Sequence, residues 1–299
     1  MGKKKQLNHR LLTDYFQAMT VPVCHNCIGT EYELIGLRKN DLSRLPYHGQ
    51  RGIKSVLDYL LAETGSTPVI EKGEIIGLEN DSYSITIEPG GQLEASFAVT
   101  ETITELENRL NVYVGLLRGL REKGIVFITS GLDPFNSFAS IPLVPKERYR
   151  IMRRYWSEKG GLSLSMMTMT ASIHINIDYN SETDAVTKFN LAWRLQKTLG
   201  GMFANSCVYK NRPRPSASLR SIIWKKTDRN RTGPGSGWDK PITSFKDYAD
   251  RALNTPMLFI IIDGDYYPAD KNFTFHQFME NGYRGYYPGL KDWILHLNT

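Results

Sequence analysis

Cysteine is scarce in this chain of 299 residues: only Cys24, Cys27 and Cys207 occur. An odd count without an export signal excludes a disulfide framework. Cys24 and Cys27 enclose His25 in a CxxC, but no second CxxC and no HxxxH supplies the other ligands that a zinc site needs. The pair reads as a strand edge with two ordinary thiols rather than a redox pair. Long apolar runs are absent as well. The longest, Met257 to Ile262, falls far short of the roughly 18 residues of a membrane span and, between Pro256 and Asp263, reads as a buried strand. The opening Met-Gly-Lys-Lys-Lys has no apolar segment or cleavage site after it, so no signal peptide and a cytoplasmic location are expected. Charge of one sign is not concentrated. The net +6 comes from basic residues spread along the chain, with one short run at Lys3 to Lys5. That spread gives no stripe for nucleic acid and suits small anionic molecules and solubility. Neither GxxxxGK[ST] nor a GxGxxG after a strand occurs, so the two common nucleotide folds are not indicated.

What remains is an ordinary globular composition, 41% hydrophobic and 23% charged, consistent with one domain over residues 1–299. Helical patterns cover residues 8–19, 50–63, 101–123 (closing at Gly124), 146–156, 181–203 and 243–253, with further starts at Thr274 and at 291–297. Strand patterns cover 23–37, 69–70, 75–78, 83–87, 92–96, 125–129, 172–179 and 257–262. Residues 210–240 are rich in Gly, Pro, Arg and Lys and read as an active-site loop region. The mixture is α+β with antiparallel strands.

Several of those strands carry acids. Glu31 and Glu33 share one face, being two residues apart. Glu88 and Glu94 flank Pro89-Gly90-Gly91. In 172–178, Ile173, Ile175 and Ile177 alternate with Ser172, His174, Asn176 and Asp178. Carboxylates held close together repel and raise one another's pKa; a hard divalent cation such as Mg²⁺ removes that cost. Singly, each piece is ordinary: ExE is usually a solvated face and EPGG a turn. Three strands offering such groups beside glycine turns form a pattern. Arg220 and the run Asp228 to Gly233, which contains Arg231, offer guanidinium forks suited to carboxylates and phosphates. The ordinary reading of that run is a surface loop with ion pairs.

In order, the segments Ile28-Gly29-Thr30-Glu31-Tyr32-Glu33, Ile87-Glu88-Pro89-Gly90-Gly91-Gln92-Leu93-Glu94, Pro145-Lys146-Glu147-Arg148-Tyr149-Arg150-Ile151-Met152, Met166-Met167, His174-Ile175-Asn176-Ile177-Asp178, Phe203-Ala204-Asn205-Ser206, Arg220-Ser221 and Arg231-Thr232-Gly233 resemble the glutamate–cysteine ligase family of plants and many bacteria. The resemblance implies an antiparallel sheet rolled into a funnel or half-barrel with helices outside, akin to the glutamine synthetase catalytic domain. It implies ATP and Mg²⁺ as cofactors, glutamate and cysteine as substrates, and γ-glutamyl phosphate as intermediate on the way to γ-glutamylcysteine, the first step of glutathione synthesis. Glu31, Glu33, Glu88 and Glu94 would be magnesium ligands. His174 falls where bacterial members place a ligating histidine and plant members a glutamine. Arg220 would grip a substrate carboxylate, with Arg148 a further substrate contact. Arg231 would face phosphate and stabilise transferring charge. Asn176, with Glu88, would touch the nucleotide.

Family members run on to a strand with a Glu-x-Arg motif; this chain ends at Thr299, before the place of that strand. The expectation is a domain truncated at its C-terminus, a fragment or one part of a site completed by a second polypeptide. No redox switch is expected. Two other readings stay open: a related ligase with a different amine acceptor, and a non-catalytic subunit.

Overall fold

Alternating polarity over the first hundred residues builds one antiparallel sheet. In this computed structural model, residues 7–23 and 27–298 are described; Cys24, His25 and the Lys3–Lys5 run lie outside the described residues. The chain begins with α1 (His9–Ala18), then β1 (Ile28–Arg38), α2 (Ile53–Thr64), β2 (Thr67–Glu71), β3 (Glu74–Glu79), β4 (Tyr83–Ile87), β5 (Leu93–Thr100), α3 (Ile103–Gly119) and β6 (Ile125–Ile128). It continues through α4 (Glu147–Lys159), α5 (Ser163–Met169), β7 (Ile173–Ile177), α6 (Glu182–Met202), β8 (Val208–Tyr209), β9 (Arg212–Pro213) and α7 (Leu219–Lys225). It closes with α8 (Phe245–Leu253), β10 (Phe259–Ile262), β11 (Asp265–Pro268), α9 (Phe275–Asn281) and α10 (Leu290–Leu297). The α+β expectation holds. No described helix is long and apolar enough to cross a membrane.

The strand order is β2-β3-β4-β5-β1. Beyond β5, β1 is shared: Ile28 to Tyr32 pair with β7, and Ile35 to Arg38 pair with β6. One face of this sheet is apolar. Tyr32, Leu34, Ile85, Ile87, Leu93, Ala95 and Phe97 bury against Ile53, Val56, Leu57 and Leu60 of α2 and Tyr113 and Leu117 of α3. Each such side chain contributes roughly 1.5–3 kcal/mol by leaving water. A second core joins α1, α8, α9 and α10 around Phe275, Phe278 and Trp293, with Phe275 and Trp293 rings edge-on at 5.1 Å.

Several elements depart from the sequence patterns; the strand expected from residue 23 begins at Ile28. The helix expected to reach residue 123 stops at Gly119, and the chain descends through turn bonds from Arg121 to Arg118 and Gly124 to Arg121, with Gly124 at φ +80°. Within 163–169 a short helix forms although Ser and Thr favour it weakly; burial of Met167 and Met169, and a bond from Ser163 Oγ to Thr227 O at 2.6 Å, hold it. The loop region 210–240 contains α7, because the Ser218 side chain caps the Ser221 N–H.

The turn between β4 and β5 is pinned from behind by a buried ion pair. Arg44 Nη1 lies 3.2 Å from Asp133 Oδ2, with side chains 1% and 0% exposed, and Arg44 Nη2 donates to Gly90 O at 2.5 Å. Asp133 also accepts from the N–H groups of Phe135 and Asn136, both at 2.9 Å. Gly90 itself is obligatory: a Cβ there would sit 2.2 Å from Thr168 O. Removing one partner of a buried pair strands the other charge. Asp133→Ala is therefore expected to destabilise the chain by about 3–5 kcal/mol, read as a lower midpoint in urea; an unchanged midpoint would contradict this account.

Candidate acidic site on the sheet

The face of the sheet opposite the core gathers the acids, and strand register decides which of them meet. Glu33 on β1 stands opposite Glu94 on β5. On the other edge of β1, Glu31 stands opposite His174 on β7. Thr86 on β4 stands opposite Glu94 and donates its hydroxyl to Glu94 Oε1 at 3.0 Å. His174 Nδ1 lies 2.6 Å from Glu31 Oε2, and Asn176 Nδ2 donates to Glu31 Oε1 at 3.0 Å. Glu33 Oε2 accepts from the Ser172 N–H at 2.5 Å and from Ser172 Oγ at 3.1 Å. Ser172 Oγ also meets His174 Nε2 at 2.8 Å and accepts from Arg220 Nη2 at 3.1 Å.

Glu31, Glu94 and His174 offer ligand atoms that all lie within 4.8 Å of one another. Oxygen and imidazole donors at that spacing, together with Glu33 and Glu88, are a donor set that can hold a hard divalent cation. The electrostatics point the same way. Burial first, then Glu94 and Glu33, push the Glu88 carboxyl up to about 7, against the opposing influence of Lys146 and Arg148. Burial raises Glu94 too, with Glu33 and Glu31 adding to the rise. Burial lowers the Arg220 guanidinium while Glu33 holds it up. Glu88 and Glu94 thus stay raised despite the positive charge that Lys146, Arg148 and His174 bring to them.

Sequence reasoning placed the four glutamates, His174, Asn176 and Arg220 on separate segments, and the fold brings them together around β1. Arg148 sits behind Glu88: its guanidinium lies over the Tyr149 ring at 4.9 Å and donates to the Tyr149 hydroxyl at 3.1 Å. Arg231 stands apart from this group. It donates to Asp228 Oδ2 at 2.8 Å, to Tyr155 Oη at 3.1 Å and to Pro256 O, and none of these partners is one of the four glutamates or His174. It borders a cavity of about 190 Å³ beside Trp238, Tyr248 and His296. Sequence reading gave no role to Thr86, Lys146 or Ser172. The i, i+2 spacing of Ser172 to His174 was the one signal that could have marked a partner; Thr86 and Lys146 emerge only from pairing and packing.

Comparison with known proteins agrees with the motif order. The model of glutamate–cysteine ligase family 2 (GCS2) matches residues 27–299. The chain is 34% identical over 276 residues to glutamate–cysteine ligase A, chloroplastic, of Oryza sativa subsp. indica, covering 91% of this chain and 55% of that protein. It is 35% identical over 276 residues to the chloroplastic glutamate–cysteine ligases of Nicotiana tabacum and Arabidopsis thaliana, covering 91% of this chain and 52% of each. The chain thus spans about half the length of the curated relatives it matches.

A carboxyl that titrates higher folded than unfolded binds its proton more tightly in the native chain. Stability is then greatest at low pH and falls as pH rises through the window between the two values. For Glu88 that window runs from 4.5 to about 7. Glu88→Gln removes the penalty, so the metal-free variant is expected to exceed the parent at pH 8 by up to about 3 kcal/mol and to match it near pH 4.5. Urea unfolding across pH in the presence of a chelator reads this directly. Parallel curves for the two chains would rule it out.

Proposed function

The chain belongs to glutamate–cysteine ligase family 2, and from that premise we propose that it works in ATP- and Mg²⁺-dependent ligation of the glutamate γ-carboxylate to the amine of cysteine. The observation that carries this reading is the crowding of Glu31, Glu33, Glu88, Glu94 and His174 on one sheet face, with a guanidinium at its border. The sheet in this reading curves around that face as the funnel of a glutamine synthetase-like catalytic domain.

In this reading the γ-carboxylate of glutamate attacks the terminal phosphorus of ATP, giving γ-glutamyl phosphate and ADP. The cysteine amine then attacks the acyl carbon and phosphate departs. Glu31, Glu33, Glu88, Glu94 and His174 would hold Mg²⁺, which would supply neutralisation of the phosphate charge during the transfer. Arg220, with one donor on Ser172 and its plane 5.3 Å over Trp224, holds a substrate carboxylate beside Glu33. Asn176 fixes the orientation of Glu31 and meets the nucleotide. Arg148 acts on substrate from the Glu88 side. Arg231 reaches phosphate by leaving Asp228.

A second reading is a subunit or fragment of such an enzyme that binds nucleotide and metal without turnover. Mg²⁺-dependent ADP release separates the readings. With glutamate and ATP, release that depends on cysteine supports the ligase, and release that prefers another amine reassigns the acceptor. ATP binding without ADP release supports the subunit or fragment. Glu31→Gln and Glu94→Gln are each expected to lower turnover at least about 100-fold, on the scale of lost charge stabilisation at a phosphoryl-transfer site. Activity that survives both substitutions would defeat the metal assignment.

A further inference from the structure

The acids at the site differ in how they are held. Glu31, Glu33 and Glu94 lie within strands, where ladder bonds fix them. Glu88 lies just past the end of β4, at the start of the Glu88-Pro89-Gly90-Gly91 turn, and needs other support. That support comes from α4 and the residue before it. Lys146 Nζ donates to Ile87 O at 3.0 Å, and Tyr149 Oη donates to the same oxygen at 2.6 Å. Both side chains belong to buried residues, 5% and 2% exposed. The amide of that same peptide unit, Glu88 N–H, donates to Gln92 O at 2.8 Å, and Glu88 O accepts from Gly91 N–H at 2.8 Å. Val144 N–H donates to Pro89 O at 3.2 Å. The peptide planes on both sides of Glu88 are therefore fixed, and the plane before it is held at its oxygen by two side chains, of which Lys146 also acts on Glu88 through its charge.

We propose that Lys146 and Tyr149 are positioning residues: by sharing the Ile87 carbonyl they set the direction in which Glu88 presents its carboxylate to a cation bound between Glu31, Glu94 and His174. The inference rests on the metal reading of the site. A lysine and a tyrosyl hydroxyl saturate both lone pairs of one carbonyl, an arrangement that permits little rotation of the plane. Ligand supports of this kind typically govern 10–100-fold in metal affinity. Arg148 completes the arrangement by donating to the Tyr149 hydroxyl, which leaves that hydroxyl's own proton for Ile87.

The test is Mn²⁺ binding to the metal-free chain, followed by electron paramagnetic resonance of free Mn²⁺, with thermal unfolding as a separate readout. Lys146→Met and Tyr149→Phe are each expected to weaken Mn²⁺ about 10-fold, while Lys54→Met on the exposed face of α2 leaves it unchanged. The decisive arm repeats both substitutions in a Glu88→Gln background. If they act through Glu88, neither weakens Mn²⁺ further there, although each still lowers the unfolding temperature. A purely structural role predicts the same loss in both backgrounds and would overturn the proposal, as would variants that bind like the parent. Tyr149→Phe removes a single oxygen and keeps the test alive should Lys146→Met fail to fold. A parent chain that binds no Mn²⁺ overturns the metal reading, and this inference with it.

Discussion

Glu33 directly faces Glu94 across the β1–β5 ladder, and much of the structure can be understood as the means of tolerating that pairing. Like charges opposite one another on adjacent strands destabilise a sheet. Here the cost is met by placing positive and donor groups around the acids rather than by spacing them apart. Ser172 gives Glu33 two donors, Thr86 gives Glu94 one, and His174 and Asn176 occupy both oxygens of Glu31. Among the described residues no such donor reaches Glu88, and burial, then Glu94 and Glu33, push its carboxyl up to about 7. The remaining deficit of positive charge is what a divalent cation would fill.

The sheet can carry this burden because its other face is fully committed. Ile53, Val56, Leu57 and Leu60 of α2 and Tyr113 of α3 are buried against it. Burial on that side fixes which residues of β1 and β5 point away, since a one-residue slip would exchange the faces. The same logic explains the rear of the Glu88 turn. Arg44 and Asp133 are costly to bury, yet the guanidinium bond to Gly90 O holds a loop whose glycine tolerates no side chain.

The sequence made part of this visible. Period-2 spacing put Glu31 and Glu33 on one face, and Ser172, His174 and Asn176 on another. Register was not visible, because nothing local specifies that Glu33 meets Glu94 or that Glu31 meets His174. Period also says nothing about which face is covered: Ile173, Ile175 and Ile177 are 57%, 54% and 63% exposed, so the apolar face of β7 is the open one. Residues 163–169 lacked a helical pattern because their helix depends on distant burial rather than on propensity. Arg231 looked like a companion of Arg220 by composition; tertiary packing holds it on Asp228 and Tyr155, beside the cavity that Trp238 and His296 line. Burial there lowers His296 to about 4, with Arg231 contributing repulsion.

Assembly of the site depends on the slowest kind of contact. His174 reaches Glu31 across 143 residues of sequence, and Arg220 reaches Ser172 across 48. Closing loops of that length costs entropy before any contact is gained, and such pairings form late. By contrast, Thr86 meets Glu94 across 8 residues within a hairpin. Glu88 just past β4 and Glu94 of β5 can therefore come together early, but the imidazole and guanidinium arrive only when β7 has paired with β1 and Arg220 of α7 has reached Ser172. Repulsion among Glu33, Glu88 and Glu94 must be borne in the interval. A cation bound by the completed set would favour the docked state by mass action, so occupancy of the site would be coupled to completion of the β1–β7 ladder.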